Sequence, residues 1–204
     1  MKKIEVEKQS DNLWQITLED GQQFCIDTEL LYQFSVLDKE EISDTLAEKL
    51  IQEQSVKNAY QRALYWLNFR MYSYKALFLR LNKEFPEDIC YIVLNRLAQR
   101  GIINDRKYAQ QLAEYYVTQK YYGVIRVANI LKEKQLPQVV ITETLAPYIE
   151  HAQPQLMYLL RRKYAKKLTD AKDINSIAKV KASLVRRGFY FEDINEAIKN
   201  YFSS

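Results

Sequence analysis

Four glycines and four prolines are few for a chain of 204 residues. An all-β sandwich or barrel needs more turn-forming material than that, so long helices joined by short connections are favoured. Only two cysteines are present, Cys25 and Cys90, far apart in sequence. They cannot assemble a disulfide framework or a cysteine-rich zinc site, and fit free thiols in a reducing compartment. With a single histidine, His151, there is no second imidazole at ligand spacing for a metal centre or a His-based catalytic dyad, and a surface position is expected for it. Gly21, Gly101, Gly123 and Gly188 are isolated, which excludes a Walker A loop and a dinucleotide-binding fingerprint. No apolar run is long enough for a signal peptide or a membrane span, so a cytoplasmic protein without a membrane partner is expected. The carboxylate pairs Glu87–Asp88 and Glu192–Asp193 fall in expected first helical turns, where they favour the helix dipole rather than acid–base work. The reading is a protein that is not an enzyme, with no catalytic residues, no cofactor and no metal.

What is abundant is charge, unevenly placed. The net charge of +4 conceals an acidic first part, residues 1–55, with 5 Lys+Arg against 13 Asp+Glu, and a basic remainder with 25 against 13. A basic body suits a polyanion such as nucleic acid or an acidic protein surface, although Lys and Arg also simply keep helices soluble. The densest stretch is Arg161, Arg162, Lys163, Lys166 and Lys167, in which Arg162 and Lys166, and Lys163 and Lys167, are four apart and share helix faces. Like charges so close call for a counter-charge or heavy hydration. Aromatics are also many, with 16 Tyr and 8 Phe. Tyr115, Tyr116, Tyr121 and Tyr122 lie near Lys120 and Arg126, and aromatics beside cations can stack on unpaired bases. Tyr116 falls on an apolar stripe and Tyr65, Trp66, Phe69 and Phe78 lie in helices that must bury something, so core packing accounts for most of them. Tyr121 and Tyr122, beside Gly123, fit either role.

The first segment alternates as strands do: Ile4 and Val6; Trp14, Ile16 and Leu18; then Phe24 and Ile26 beyond Asp20–Gly21, a common type I′ pair. From Thr28 the period becomes helical, with Asp38 and Glu41 as a capping pair ahead of Ile42, Leu46 and Leu50. Beyond Ser55 the i, i+3, i+4, i+7 spacing recurs, as in Cys90, Val93, Leu94, Leu97 and in Ile194, Ala197, Ile198, Tyr201. Ser73 and Asp105 are expected N-caps, Pro86 and Pro137 first-turn residues, and Gly101 and Gly188 C-terminal caps. Nine helices follow, near 56–70, 74–84, 87–100, 105–120, 123–134, 138–149, 155–168, 176–187 and 191–202. The junctions Lys83–Glu84–Phe85, Lys134–Gln135–Leu136 and Arg187–Gly188–Phe189 share a pattern and recur at a period near ~50 residues, which suggests a repeat array. The organisation expected is an acidic β unit plus helix over 1–55 and three-helix repeats over 56–103, 104–152 and 153–204.

Several of these residues together resemble the RecX family. They are Ala63–Leu64 with Leu67, Arg70, Ser73, Leu77 and Leu81; Ile89, Val93, Leu97, Gly101 and Ile103–Asn104–Asp105 followed by Tyr108–Ala109; Gly123 with Arg126; and Lys179 to Phe189, ending Arg-Arg-Gly-Phe. The match covers about residues 56–202, and the β unit with its acidic helix is similar to the N-terminal extension of longer members. The chain departs from the family where Lys-Gly often precedes the apolar junction residue, having Lys83–Glu84 and Lys134–Gln135, and where Ala76 replaces an acidic residue before Leu77. Without glycine, a left-handed residue at those two helix ends costs more, so those turns are expected to be built differently. The resemblance implies a mainly α fold of three tandem three-helix repeats in an elongated, curved array. It implies a regulator of recombination, DNA repair and the SOS response, which lies in the groove of the RecA filament on single-stranded DNA and inhibits ATP hydrolysis and strand exchange. The partner is then RecA, with direct contact to single-stranded DNA left open, and the regulator is expected to be a monomer. Candidate contacts are Arg161, Arg162, Lys163, Lys166, Lys167, Arg186 and Arg187, followed by Arg96, Arg100, Lys120 and Arg126. The rival readings are a basic helical DNA-binding protein and a helical protein-interaction scaffold unrelated to RecA; no single recognition helix stands out for sequence-specific reading.

Overall fold

A computed structural model describes residues 1–203 and is mainly helical, with a small N-terminal sheet. Strands β1 (Lys2–Ser10), β2 (Leu13–Leu18), β3 (Gln23–Asp27) and β4 (Glu41–Ile42) form an antiparallel sheet in the order β3-β2-β1-β4. The period-two pattern is realised: Ile16, Leu18 and Ile26 are fully inward, with Ile4, Val6, Trp14 and Phe24 packed at the margin. Helix α1 (Thr28–Gln33) adds Leu30 and Leu31, and helix α2 (Asp44–Leu67) closes the cluster with Ala47 and Leu50. The turn between β2 and β3 differs from the expected type I′ pair. Only Gly21 has positive φ (+86°), and its N–H donates to the Leu18 carbonyl, so Asp20 need not adopt a left-handed backbone.

The helix start also differs from expectation. Asp38 lies in a single 3-10 turn and Glu41 in β4; the α2 cap is Ser43, whose hydroxyl accepts the Leu46 N–H at 3.1 Å. Once started, α2 runs unbroken past Ser55, so the expected boundary there falls inside a helix. Charge changes sign at that point in the sequence, but the apolar stripe of Ala47, Leu50, Val56, Ala59 and Ala63 continues through it. Asp27 fastens the sheet end to this helix: its carboxylate caps α1 through Leu30, it pairs with Lys57, and its N–H donates to the Gln54 side chain at 2.8 Å.

After α2 come α3 (Tyr74–Leu81), α4 (Glu87–Gln99), α5 (Asp105–Glu114), α6 (Val124–Glu133), α7 (Gln138–Ile149), α8 (Ala152–Leu159), α9 (Ile174–Arg186) and α10 (Phe191–Ser203). Ser73 caps α3 through the Ala76 N–H, and Pro86 and Pro137 stand at the N-caps of α4 and α7. The cap of α5 is Asn104 rather than Asp105. Asp105 instead turns to the Tyr74 N–H at 2.8 Å. The chain divides into two compact units, Met1–Met71 with Leu77–Ile102, and Tyr72–Ala76 with the residues from Ile103 onward. In the second unit, one apolar cluster joins Ala109, Ala113, Val127, Leu131 and Ile141, and another joins Leu156, Leu160, Leu184, Phe189 and Ile194.

Helix ends explain how loops meet within this second unit. At Gln135 and Gly188 the backbone is left-handed (φ +61° and +91°), and the next residue donates back five positions, Leu136 to Leu131 and Phe189 to Leu184. Gln135 does this without glycine, at a cost of about 1–2 kcal/mol. The earlier junction at Glu84 does not: Phe85 donates to Leu81 through an ordinary helical bond, and the Glu84 carboxylate is held by Arg62 at 2.9 and 3.0 Å. Each of the two left-handed ends receives a helix-start loop. The Ser73 hydroxyl donates to the Lys134 carbonyl at 2.6 Å, and the Gly123 N–H donates to the Arg187 carbonyl at 2.8 Å. In the second case the backbones touch. A Cβ on Gly123 would stand 2.2 Å from the Gly188 carbonyl oxygen, and one on Gly188 would stand 2.3 Å from the Arg126 nitrogen.

Two stability predictions follow from these contacts. Gly101→Ala, strained only by φ, should cost about 1–2 kcal/mol, whereas Gly123→Ala must push two main chains apart and should cost clearly more, read as the change in urea midpoint. Burial raises the Asp105 carboxyl above its ordinary range, against the lowering by the Tyr74 N–H. The folded state therefore favours the protonated acid, and its contribution is present at low pH and lost as pH rises through the raised value. Asp105→Asn keeps the acceptor without the charge, so its stability relative to the parent should increase between acid and neutral pH; a pH-independent difference would refute this account.

Candidate interaction surface

The basic residues of the third expected repeat are held by a helix that does not stay regular. After α8 the chain widens into a π turn, Leu160–Tyr164, and then tightens into a 3-10 turn, Ala165–Lys167. The buried positions Leu159, Leu160, Tyr164 and Leu168 fix the inner side of this segment, and the Tyr164 hydroxyl meets Ser183 at 2.8 Å. Arg161, Arg162, Lys163, Lys166 and Lys167 are all exposed. The segment is not the regular helix expected, on which Arg162 and Lys166, and Lys163 and Lys167, would share faces. Among the described residues none of these five cations has a carboxylate at ion-pair distance. Their charge faces solvent.

The remaining candidates divide by what they already touch. Arg187 is half-buried and donates from one guanidinium nitrogen to the Lys120 and Tyr121 carbonyls at 3.1 and 3.3 Å. Arg126 donates to the Arg186 carbonyl at 3.1 Å and stands 4.1 Å from the centre of the Tyr122 ring. Both therefore build the Gly123–Gly188 joint. Arg186 is exposed. Lys120 lies 5.3 Å from the Tyr115 ring centre, and a hydrogen bond to that phenol raises its ammonium pKa. Arg96 lies in α4 and Arg100 caps its C-terminal end, both in the other unit, where Arg100 donates to the Tyr60 hydroxyl at 2.8 Å.

The tyrosines are organised into stacks. Tyr116 and Tyr122 lie parallel at 5.9 Å, with Tyr115 edge-on to Tyr116 and Arg126 on Tyr122. Tyr121 stacks on Tyr158 at 4.8 Å, with Arg162 5.8 Å from the Tyr158 ring centre. A hydrogen bond donated by the Tyr121 hydroxyl to that of Tyr158, with burial, raises the Tyr121 phenol above its ordinary range. Tyr121 itself is left-handed (φ +53°), and its carbonyl is one of the two held by Arg187. Sequence reasoning singled out Tyr121 but missed Tyr158, which is 41% exposed and lines a cleft with Pro154, Met157, Arg161 and Arg162. The available signal was its position four residues before Arg162 on an expected helix. His151 is exposed, its Nδ1 2.7 Å from the Pro147 carbonyl; Cys25 is exposed and Cys90 buried, both free.

Fold and surface together define a mainly helical protein with a cationic face flanked by stacked aromatics. Among the described residues no group of His, Cys, Asp and Glu could hold a metal ion, and no helix is long and apolar enough to cross a membrane. No family model matches the chain. It is 30% identical over 195 residues to the regulatory protein RecX of Geobacillus kaustophilus (strain HTA426), covering 92% of this chain and 71% of that protein. It is 26% identical over 198 residues to the regulatory protein RecX of Clostridioides difficile (strain 630), covering 96% and 92%. Among solved structures, a crystal structure of regulatory protein RecX matches with a TM-score of 0.73 at 20% identity, covering 98% of this chain and all of that one. RecX from Lactobacillus salivarius matches at 0.67 and 20% identity, covering 74% and 98%. The chain belongs to the RecX family of regulatory proteins.

The two kinds of arginine should separate by measurement. Arg187→Ala removes a guanidinium that holds two carbonyls and should lower stability by about 1 kcal/mol. Arg161→Ala, with no such contact, should stay within about 0.5 kcal/mol of the parent in the same urea titration.

Proposed function

We propose that this protein is a cytoplasmic, monomeric regulator of homologous recombination that binds the RecA filament on single-stranded DNA and restrains its ATP hydrolysis and strand exchange. Membership of the RecX family supports the class of function. The observation that carries the binding mode is the set of five exposed, carboxylate-free cations from Arg161 to Lys167, in a unit whose apolar clusters are complete without them. Charges left in that state suit a polyanionic or acidic partner. Residues 56–103, 104–152 and 153–204 act in this reading as three consecutive three-helix repeats, a modular form suited to a repetitive polymer.

The test is the rate of ATP hydrolysis by RecA on single-stranded DNA. The protein should lower that rate while hydrolysing no ATP alone. Replacing Arg162, Lys163, Lys166 and Lys167 together by Ala should weaken filament binding with helix content unchanged. For direct phosphate contacts, the logarithmic salt slope should also fall by about 0.7 per contact removed. Weaker binding with an unchanged slope would assign the cluster to a protein groove, and parental inhibition by the quadruple variant would reduce it to a solvated helix face.

A further inference from the structure

Two strained or irregular segments converge beside Tyr158. Tyr121, a non-glycine residue in left-handed backbone, is pinned there by Arg187 and lays its ring on Tyr158 at 4.8 Å. A left-handed tyrosine is disfavoured and persists only where surrounding structure imposes it, a condition that clusters at binding sites. The π turn beginning at Leu160 carries Arg161 and Arg162 past the same ring, and such turns also concentrate at functional sites. The result is a stacked tyrosine pair between two clefts that share Pro154. One, of about 420 Å³, is lined by Met157, Tyr158, Arg161 and Arg162; the other, of about 300 Å³, is largely apolar and lined by Val117, Tyr121, Tyr148 and His151. Arg162 stands 5.8 Å from the Tyr158 ring centre, looser than the 4.1 Å of Arg126 on Tyr122, so the guanidinium is not committed to that ring.

We propose that the Tyr158 cleft is a stacking seat for one unpaired nucleobase, with Arg161 and Arg162 receiving an adjacent phosphate. A flat apolar face bordered by two unpaired guanidinium groups matches a base joined to an anion. The further exposed cations on the same segment, Lys163, Lys166 and Lys167, favour a ligand that carries anions repeatedly beside its rings, as a single strand does, over a lone aromatic side chain. The proposal rests on the reading of the basic face as a surface for the DNA-bound filament, and adds a direct contact to DNA.

The full chain is titrated, by anisotropy, against a labelled oligothymidylate and an abasic oligonucleotide of equal length and charge. The parent should prefer the thymidylate by between about five- and a hundredfold. Tyr158→Ala should lose most of that preference and keep its affinity for the abasic strand, Tyr158→Phe should retain the preference, and Arg161→Ala with Arg162→Ala should weaken both ligands. Equal binding of the two strands by the parent, or an undiminished preference in Tyr158→Ala, overturns the seat. So does competition by an acidic, phenylalanine-containing peptide whose own affinity depends on Tyr158. Inhibition of RecA is followed in parallel: base preference without inhibition in the parent sinks the filament reading alone, and inhibition without base preference sinks the seat alone.

Discussion

Gly123 and Gly188 approach so closely that neither position has room for a single methyl group, and the cationic face is built outward from that contact. The Gly123 and Ile125 N–H groups bond the Arg187 and Gly188 carbonyls, which locks the start of α6 to the end of α9. The guanidinium groups of Arg126 and Arg187 then cross the joint in opposite directions, each ending on main-chain carbonyls of the other side. Tyr121 is left-handed because its own carbonyl is one of those ends, and its ring reaches Tyr158 from there. Gln155 adds a further tie, donating to the Val117 carbonyl at 2.9 Å. A backbone approach thus decides where side chains several residues away can stand, which is why close contact rather than apolar area governs this part of the fold.

The elements whose physics is local were legible in the sequence. Alternation gave the strands, apolar spacing gave the helices, and Ser73, Gly101 and Gly188 marked ends through their own side-chain or backbone chemistry. Features decided by distant partners were not. Asn104 displaced Asp105 as a cap because Asp105 is engaged by Tyr74, 31 residues away. Gln135 accepted a left-handed backbone that its side chain alone would avoid, since that helix end is where Ser73 docks. The basic cluster was visible as composition, but the π turn that re-aims it has no marker in residue type, and Tyr158 gained meaning only when Tyr121 was placed against it.

Charge alone would have treated the eleven candidate cations as equivalent, and the structure distributes them between two tasks. Arg126 and Arg187 satisfy carbonyls at a loop junction, where a planar, multi-donor guanidinium suits the geometry better than an ammonium. Arg100 is similarly spoken for by a tyrosine hydroxyl. Those on the irregular segment after α8 are left to solvent, and their field extends only about 8 Å at physiological salt. A surface of that kind attracts at short range and selects through what lies next to it, and here stacked tyrosines lie next to it.

Helix α2 spans 24 residues without interruption, a rod of about 36 Å at the usual rise per residue. One end is cemented into the sheet core through Ala47 and Leu50, and the other end carries Trp66 between the guanidinium groups of Arg62 and Arg80. A continuous rod with both ends embedded is a spacer rather than a tether. It sets the distance between the acidic sheet and Trp66, which an irregular connection of the same length would leave variable.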